Sequence, residues 1–452
     1  VRTSTSAEHM EVRGLVEVPI DYEFSASPRL SIAYRILPVL SQNGQYLRPS
    51  SSEAMARPLL MIINGGPGAS SEHLRKYDFS YNPLSSQTPT PDRLQVLTQH
   101  FRVVLVDQRG TNGKSSRLDL NNSSLDPQLI ADYFGPRQLA LDHASVMQAI
   151  NPQAHPFYIM AQSYGGLVGA MYLVEASKDP QIPRPEAMAL TSAGIQTAQD
   201  AFAKQVQRRK SQRRLLLDLK YRYPDIVPLM NTLRARLMQI APDSTIDDSL
   251  ATQLGEGMDW ETEFIQKVRG LIKMDDESFL KEIKGDYATI DVLNFVLSSA
   301  IITPGFTDRT LYSALKYIVP LAGWMPDELR NYYNGITESG WQNWFLDKVD
   351  ANPPRILNLP SMDQMREAIA QNNVVFTGSQ DDPLIPMATS EKLFETLRGD
   401  GTRFLSFEKG GHGAAFFSPN VEALIQKGFG RDLDFSSSSP KIINCKNLFP
   451  VR

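Results

Sequence analysis

Short, unbroken apolar runs punctuate the first half of the chain. Leu59 to Ile63, Val103 to Val106 and Phe157 to Met160 each run without a polar residue. Each gives way at once to a loop of small or polar residues. The first closes on Asn64-Gly65-Gly66-Pro67-Gly68 and the second on Asp107-Gln108-Arg109-Gly110. The third closes on Ala161-Gln162-Ser163-Tyr164-Gly165-Gly166. Runs this short, with no alternation of polar and apolar positions, suit strands covered on both faces. Helical segments between them predict a parallel sheet with crossover helices, an α/β fold. Upstream, Val16 to Tyr22 and Leu30 to Ile36 read as a more exposed, antiparallel lead-in. The pattern returns near the end. Asn373 to Phe376 leads into Thr377-Gly378-Ser379-Gln380-Asp381-Asp382-Pro383, and Arg403 to Phe407 into Glu408-Lys409-Gly410-Gly411-His412-Gly413. Ligands of open α/β sheets bind outside the carboxyl ends of the strands, where these loops must lie.

Between residues 196 and 360 strand-like runs become scarce and amphipathic stretches dominate. All four tryptophans, Trp260, Trp324, Trp341 and Trp344, fall there. The pattern divides the chain into a first part of a sheet domain (1–195), a helical cap inserted into it (196–360) and the second part of the sheet domain (361–452). Lys204 to Arg222 carries eight Lys or Arg against one acid, Asp218. A solvated helix face explains such a run more readily than a nucleic-acid contact.

Composition narrows the class. The chain has 452 residues, with 42% hydrophobic and 21% charged, ordinary globular usage. A formal net charge of -4 provides no bulk attraction to nucleic acid or anionic lipid. No apolar run approaches the roughly twenty residues of a membrane-spanning helix. A single cysteine, Cys445, rules out an intramolecular disulfide. No cofactor and no metal is expected.

Gln162-Ser163-Tyr164-Gly165-Gly166 lies between a predicted strand and the apolar helical stretch Leu167 to Val174. That is the setting of a nucleophile elbow, G-x-S-x-G, with Ala161 in the first small position. A serine hydroxyl needs a base to take its proton. Of six histidines only His412 follows Ser163, and in this fold type the order is Ser, acid, His. The acid belongs at the end of the penultimate strand, where Asp381 and Asp382 both stand. Counting from Gly378 favours Asp381, whereas an Asp-Pro step at the sharp exit of a strand favours Asp382, the preferred choice. The acid would hold the imidazole tautomer and stabilise the imidazolium. The Gly-rich turn after the first run can bring a backbone N–H close to a reacting carbonyl. Gly66 and Tyr164 are the candidate oxyanion donors.

These motifs resemble those of the α/β-hydrolase fold. More narrowly, they are similar to the prolyl aminopeptidase (proline iminopeptidase) and tricorn-associated aminopeptidase family of serine peptidases. Asn64-Gly-Gly-Pro-Gly68 is close to that family's H-G-G-P-G. Asp107-Gln-Arg-Gly-Thr111 with Gly113-Lys114-Ser115 is close to D-Q-R-G-x-G-x-S, and Ala161 to Gly166 is close to G-Q-S-Y-G-G. Val16 to Tyr22 resembles the same stretch of secreted tripeptidyl-aminopeptidase relatives. The likeness covers about residues 13–195 and 370–430 and barely reaches the cap. It departs at Asn64, which replaces a His, at the inserted Asn112, and at one extra residue between Gly378 and the Asp-Pro step.

The resemblance implies a mostly parallel central sheet flanked by helices, with a large helical cap. It also implies release of N-terminal residues, often Pro, from short peptides with a free N-terminus. Such an enzyme must recognise an α-ammonium group, and family members place acids in the cap for it. The candidates are Glu261 beside Trp260, Glu263 and Glu338. A carboxylesterase or acyl-amide hydrolase with the same Ser-His-Asp triad is the rival. A binding protein on the same fold is disfavoured, because all three triad members are retained. The family is cytoplasmic, while a chain beginning at Val1 also fits a secreted or periplasmic protein whose leader was removed.

Overall fold

A computed structural model describes residues 2–5, 11–41, 45–66, 71, 93–110, 133–195, 207, 210–211, 214–240, 259–284 and 360–430. Eleven strands occur among them: β1 (Arg2–Thr5), β2 (Val12–Pro19), β3 (Arg29–Ile36), β4 (Val39–Leu40), β5 (Tyr46–Leu47), β6 (Leu59–Ile63), β7 (Arg102–Val106), β8 (Phe157–Gln162), β9 (Ala187–Thr191), β10 (Val374–Ser379) and β11 (Thr402–Phe407). Nine form one sheet in the order β1-β2-β3-β7-β6-β8-β9-β10-β11, and β4 and β5 pair separately. The first three strands join antiparallel, as does β3 to β7. From β7 onward every neighbour is parallel. The antiparallel lead-in and the parallel body match the expectation from the hydrophobic pattern.

The apolar runs are unbroken because successive residues face different cores. In β6, Leu59, Met61 and Ile63 enter one apolar cluster, and Leu60 and Ile62 enter another on the opposite face. The same split occurs in β7, with Val104 and Val106 on one face and Val103 and Leu105 on the other. One face is covered by the helices Pro136–Ile150, Tyr164–Lys178, Met362–Ala370 and Met387–Leu397. The other is covered by Arg93–His100 and the C-terminal turns around Val421, Leu424 and Phe429. At roughly 25 cal/mol per Å² of apolar surface removed from water, this double burial drives the sheet together.

β9 had no advance signal. Ala and Met favour helices as readily as strands, yet Ala187–Thr191 pairs with β8 and β10 on its two edges and is buried throughout. The described part of the 196–360 segment is helical. Residues 214–222 and the helices Ile226–Ile240, Trp260–Lys273 and Asp276–Lys284 enclose a third apolar cluster. Trp260, Phe264, Val268 and Leu271 recur at helical spacing and point into it. Among the described residues no helix is long and apolar enough to cross a membrane.

A buried ionic knot joins the antiparallel lead-in to the parallel body. Arg109, after β7, grips Asp142 with two bonds, Nε to Oδ2 at 2.7 Å and Nη2 to Oδ1 at 2.6 Å. Its Nη1 donates to the carbonyls of Ile20 at 2.8 Å and Tyr133 at 2.6 Å. The Tyr22 hydroxyl adds a further bond to Asp142 Oδ1 at 2.8 Å. Replacing Asp142 with Asn would leave a buried guanidinium without its counter-charge. Urea unfolding is expected to show a loss of about 3–5 kcal/mol. A loss under about 1 kcal/mol would make the pair no more valuable than a surface bridge.

The neighbouring His143 is fully buried and donates Nδ1–H to the Leu139 carbonyl at 2.7 Å. Burial pulls its pKa down, against the weaker opposing effects of that carbonyl and of Asp142. The unfolded chain takes up a proton at this imidazole below pH about 6.5, and the folded chain does so only at lower pH. Stability is therefore expected to fall as pH drops through that value. The slope of Tm between pH 7 and pH 5 should flatten in His143→Gln; an unchanged slope would refute the assignment.

Candidate active site

The turn between β8 and the helix Tyr164–Lys178 bends sharply at Ser163, whose φ is 55° and ψ is -121°. A non-Gly residue there costs on the order of 1–3 kcal/mol, so surrounding structure must hold it. The Ser163 amide donates to the Thr191 carbonyl at 2.9 Å, at the end of β9. The Ser163 carbonyl accepts from the amides of Gly166 at 2.9 Å and Gly194 at 2.7 Å. The turn after β6 presses against this bend. A Cβ on Gly65 would lie 2.6 Å from the Ser163 Cβ, and one on Gly165 would lie 2.2 Å from the Ile63 carbonyl oxygen. Both positions exclude any side chain.

Asp382 follows β10 and is fully buried. Its Oδ1 accepts the amides of Leu384 and Ile385, each at 2.8 Å, so the Asp-Pro step folds back under its own carboxylate. The His412 ring meets it from the loop after β11, with Nδ1 2.9 Å from Oδ2 and 3.2 Å from Oδ1. With Nδ1–H donating to the carboxylate, the neutral imidazole carries its lone pair on Nε2. Of the two neighbouring acids, Asp382 is therefore the one that faces the imidazole. Asp381 is partly buried and instead lies 3.6 Å from Arg214. Burial pushes the Asp381 carboxyl upward, Arg214 opposes this, and the Glu261 charge adds to it.

Amide side chains bring the loops together. Gln162, immediately before the serine, donates Nε2–H to the His412 carbonyl at 3.0 Å. Asn420 donates Nδ2–H to the carbonyls of Lys409 and Ala414, each at 3.0 Å, bracing the His412 loop on both sides. Gln108 donates to the carbonyls of Asn64 at 3.1 Å and Gly66 at 3.2 Å. Gln108 and Gln162 sit inside motifs that flag them only as neighbours of chemistry, and nothing in the sequence marks Asn420.

Gly66 has a φ of 70°. Tyr164 opens its helix, so no carbonyl four residues earlier in that helix can take its amide. The Tyr164 ring is buried, and burial raises its phenol pKa. Glu261 stands at the start of the Trp260–Lys273 helix, paired with Arg222. Trp260 packs inside the helical cluster, and Glu263 is exposed. Glu338, Trp324, Trp341, Trp344, Asn112, Cys445, Pro67 and Gly68 lie outside the described residues. So do Thr111 and Gly113 to Ser115.

The basic stretch before residue 222 pairs part of its charge with the loop after β10. Arg214 donates to the Gln380 carbonyl and pairs with Asp381. Ser211 Oγ donates to the Asp382 carbonyl at 3.0 Å. The helical segment is thus bonded directly to the loop carrying the buried acid.

A mostly parallel sheet, a strand–elbow–helix serine, and an Asp and a His after two later strands define the α/β-hydrolase fold. No family model matches the chain, and no curated protein matches it. Solved structures do. One is 2-hydroxy-6-oxo-6-phenylhexa-2,4-dienoate hydrolase from Rhodococcus sp. strain RHA1, at 12% identity and a TM-score of 0.43 over 93% of this chain and 100% of that one. A serine hydrolase involved in carbazole degradation shows 13% identity and a TM-score of 0.39 over 92% of this chain and 98% of that one. An esterase from Exiguobacterium antarcticum shows 13% identity and a TM-score of 0.35 over 88% and 96%.

The geometry separates the two acids in a measurable way. Asp382→Asn is expected to slow phosphonylation of Ser163 by a fluorophosphonate probe by several orders of magnitude; the equivalent change in the Ser-His-Asp template costs about 10⁴ in turnover. Asp381→Asn is expected to cost far less. The reverse ranking would overturn the pairing read from the structure.

Proposed function

We propose that the chain is a serine hydrolase that releases N-terminal residues, Pro foremost, from short peptides through an acyl-enzyme. The observation that carries the hydrolase reading is the Asp382–His412 pair, tied through Gln162 to the strained turn at Ser163. His412 Nε2 takes the hydroxyl proton as Ser163 Oγ bonds to the scissile carbonyl carbon, and the carbonyl oxygen becomes an oxyanion. The amides of Gly66 and Tyr164 receive it; one such donor is typically worth about 10²–10³ in rate. The C–N bond then breaks as the imidazolium gives its proton to the departing amine. Water, deprotonated by the same imidazole, cleaves the ester and restores the serine. The scheme closes with no metal or cofactor.

The aminopeptidase assignment rests on the motif resemblance and on acids near the site. Glu261 is the described helical-segment acid assigned to the substrate ammonium. Its charge is felt at Asp381, the residue next to Asp382, which supports this reading. Its present partner, Arg222, is half exposed and would be displaced by the ligand. That same partner favours a second reading. A Glu already neutralised by Arg has less to offer an ammonium, and an ester or acyl amide needs no such recognition.

A substrate panel decides between them. Pro-β-naphthylamide is expected to turn over, and its N-acetylated form to be worse by at least about tenfold, the lower bound for one charge-assisted hydrogen bond of about 1.5–3 kcal/mol. Ser163→Ala should abolish both. Preference for the acetylated amide or for p-nitrophenyl butyrate would assign the esterase or acyl-amide reading instead.

A further inference from the structure

We propose that Gln108 is a positioning residue for the oxyanion-binding amide of Gly66. The inference rests on the serine-hydrolase reading and adds to it the group that orients one of the two donors. The need for such a group follows from the turn after β6. Residue 65 must be glycine, because a Cβ there would lie 2.6 Å from that of Ser163. Residue 66 is glycine in the positive-φ region, at 70°. Two consecutive glycines have the widest backbone freedom of any pair, so the turn that must present an N–H accurately is also prone to wander.

Within the turn the Gly65 carbonyl accepts a long bond, 3.3 Å, from the Asn64 side chain, and Gln108 adds a constraint from outside the turn. It is buried, it follows β7, and β7 lies beside β6 in the sheet. A primary amide carries two N–H groups, and Nε2 reaches the carbonyl of Asn64 at 3.1 Å and that of Gly66 at 3.2 Å. These oxygens belong to the 64–65 and 66–67 peptide units. The Gly66 N–H belongs to the 65–66 unit between them. Holding the units on both sides, with the Asn64 side chain on the Gly65 carbonyl at 3.3 Å, narrows the rotation of the middle one and the direction of its N–H. The side chain itself touches neither substrate nor serine in this account. Its effect passes through the backbone, and a small misplacement of a catalytic donor is enough to cost about 10² in rate.

Gln108→Met keeps the length and removes both donors, and Gln108→Asn keeps the amide but cannot reach both carbonyls. With p-nitrophenyl butyrate as the probe, kcat is expected to fall about 10²-fold in Gln108→Met while KM stays within about twofold. Butylboronic acid adds to Ser163 as a tetrahedral anion and is expected to lose affinity in proportion to kcat, with Gln108→Asn intermediate in both. A merely structural role would not couple those two readouts while sparing KM. An unchanged kcat and boronate affinity in Gln108→Met, in protein whose turnover is lost in Ser163→Ala, overturns the proposal alone. Failure of both Gln108 variants to fold assigns the side chain a structural role and also overturns it. Turnover that survives Ser163→Ala overturns the serine reading itself, and the proposal with it.

Discussion

The close approach of two backbones, at Gly65 and Ser163, is the constraint on which the site depends. The serine backbone is held in a conformation that side chains rarely adopt. The turn after β6 must then come within a distance that only a residue without Cβ allows. The bend is sustained because its amide and carbonyl are both bonded, the amide to the Thr191 carbonyl at the end of β9, the carbonyl to the amides of Gly166 and Gly194. Strain at one residue is thus distributed over the ends of β6, β8 and β9, whose interiors are buried on both faces. A less rigid sheet would let the bend relax toward ordinary helix geometry.

The three residues after β7 serve that arrangement in three directions. Asp107 accepts both the amide of Ser71, at 2.8 Å, and its hydroxyl, at 2.6 Å. Gln108 holds the glycine turn, and Arg109 binds Asp142 and the carbonyls of the lead-in. Side chains of consecutive residues at a strand end diverge, so one short motif can reach a loop, a turn and a helix at once. A stretch that reads as a family signature is, in the folded chain, scaffold for the loops around the serine.

The helical segment contributes beyond its own apolar cluster. Ser211 and Arg214 bond the backbone of the loop that carries Asp382, so that loop is held by the sheet on one side and by the helical segment on the other. Arg214 stays half exposed while its guanidinium reaches the Gln380 carbonyl and Asp381. The expectation of a solvated face from the run of Lys and Arg holds for Lys210 and for Arg214, both exposed, although Arg214 also pairs with Asp381.

The sequence by itself determined the parallel sheet and the tight turn at Ser163. Double-sided burial leaves an unbroken apolar run, and a tight turn demands small residues, so both constraints are written in single residue types close together. Only the tertiary structure decided that Asp382 rather than Asp381 faces His412. Adjacent residues on a turn point in different directions, and counting positions does not supply that rotation. It alone made Ala187–Thr191 a strand, because pairing on both edges overrode a composition that fits helix equally well. It alone brought Gln162 to the carbonyl of His412, 250 residues away. An amide side chain hydrogen-bonds whatever the fold delivers to it, so its partner is a property of the packed chain and leaves no pattern in the sequence.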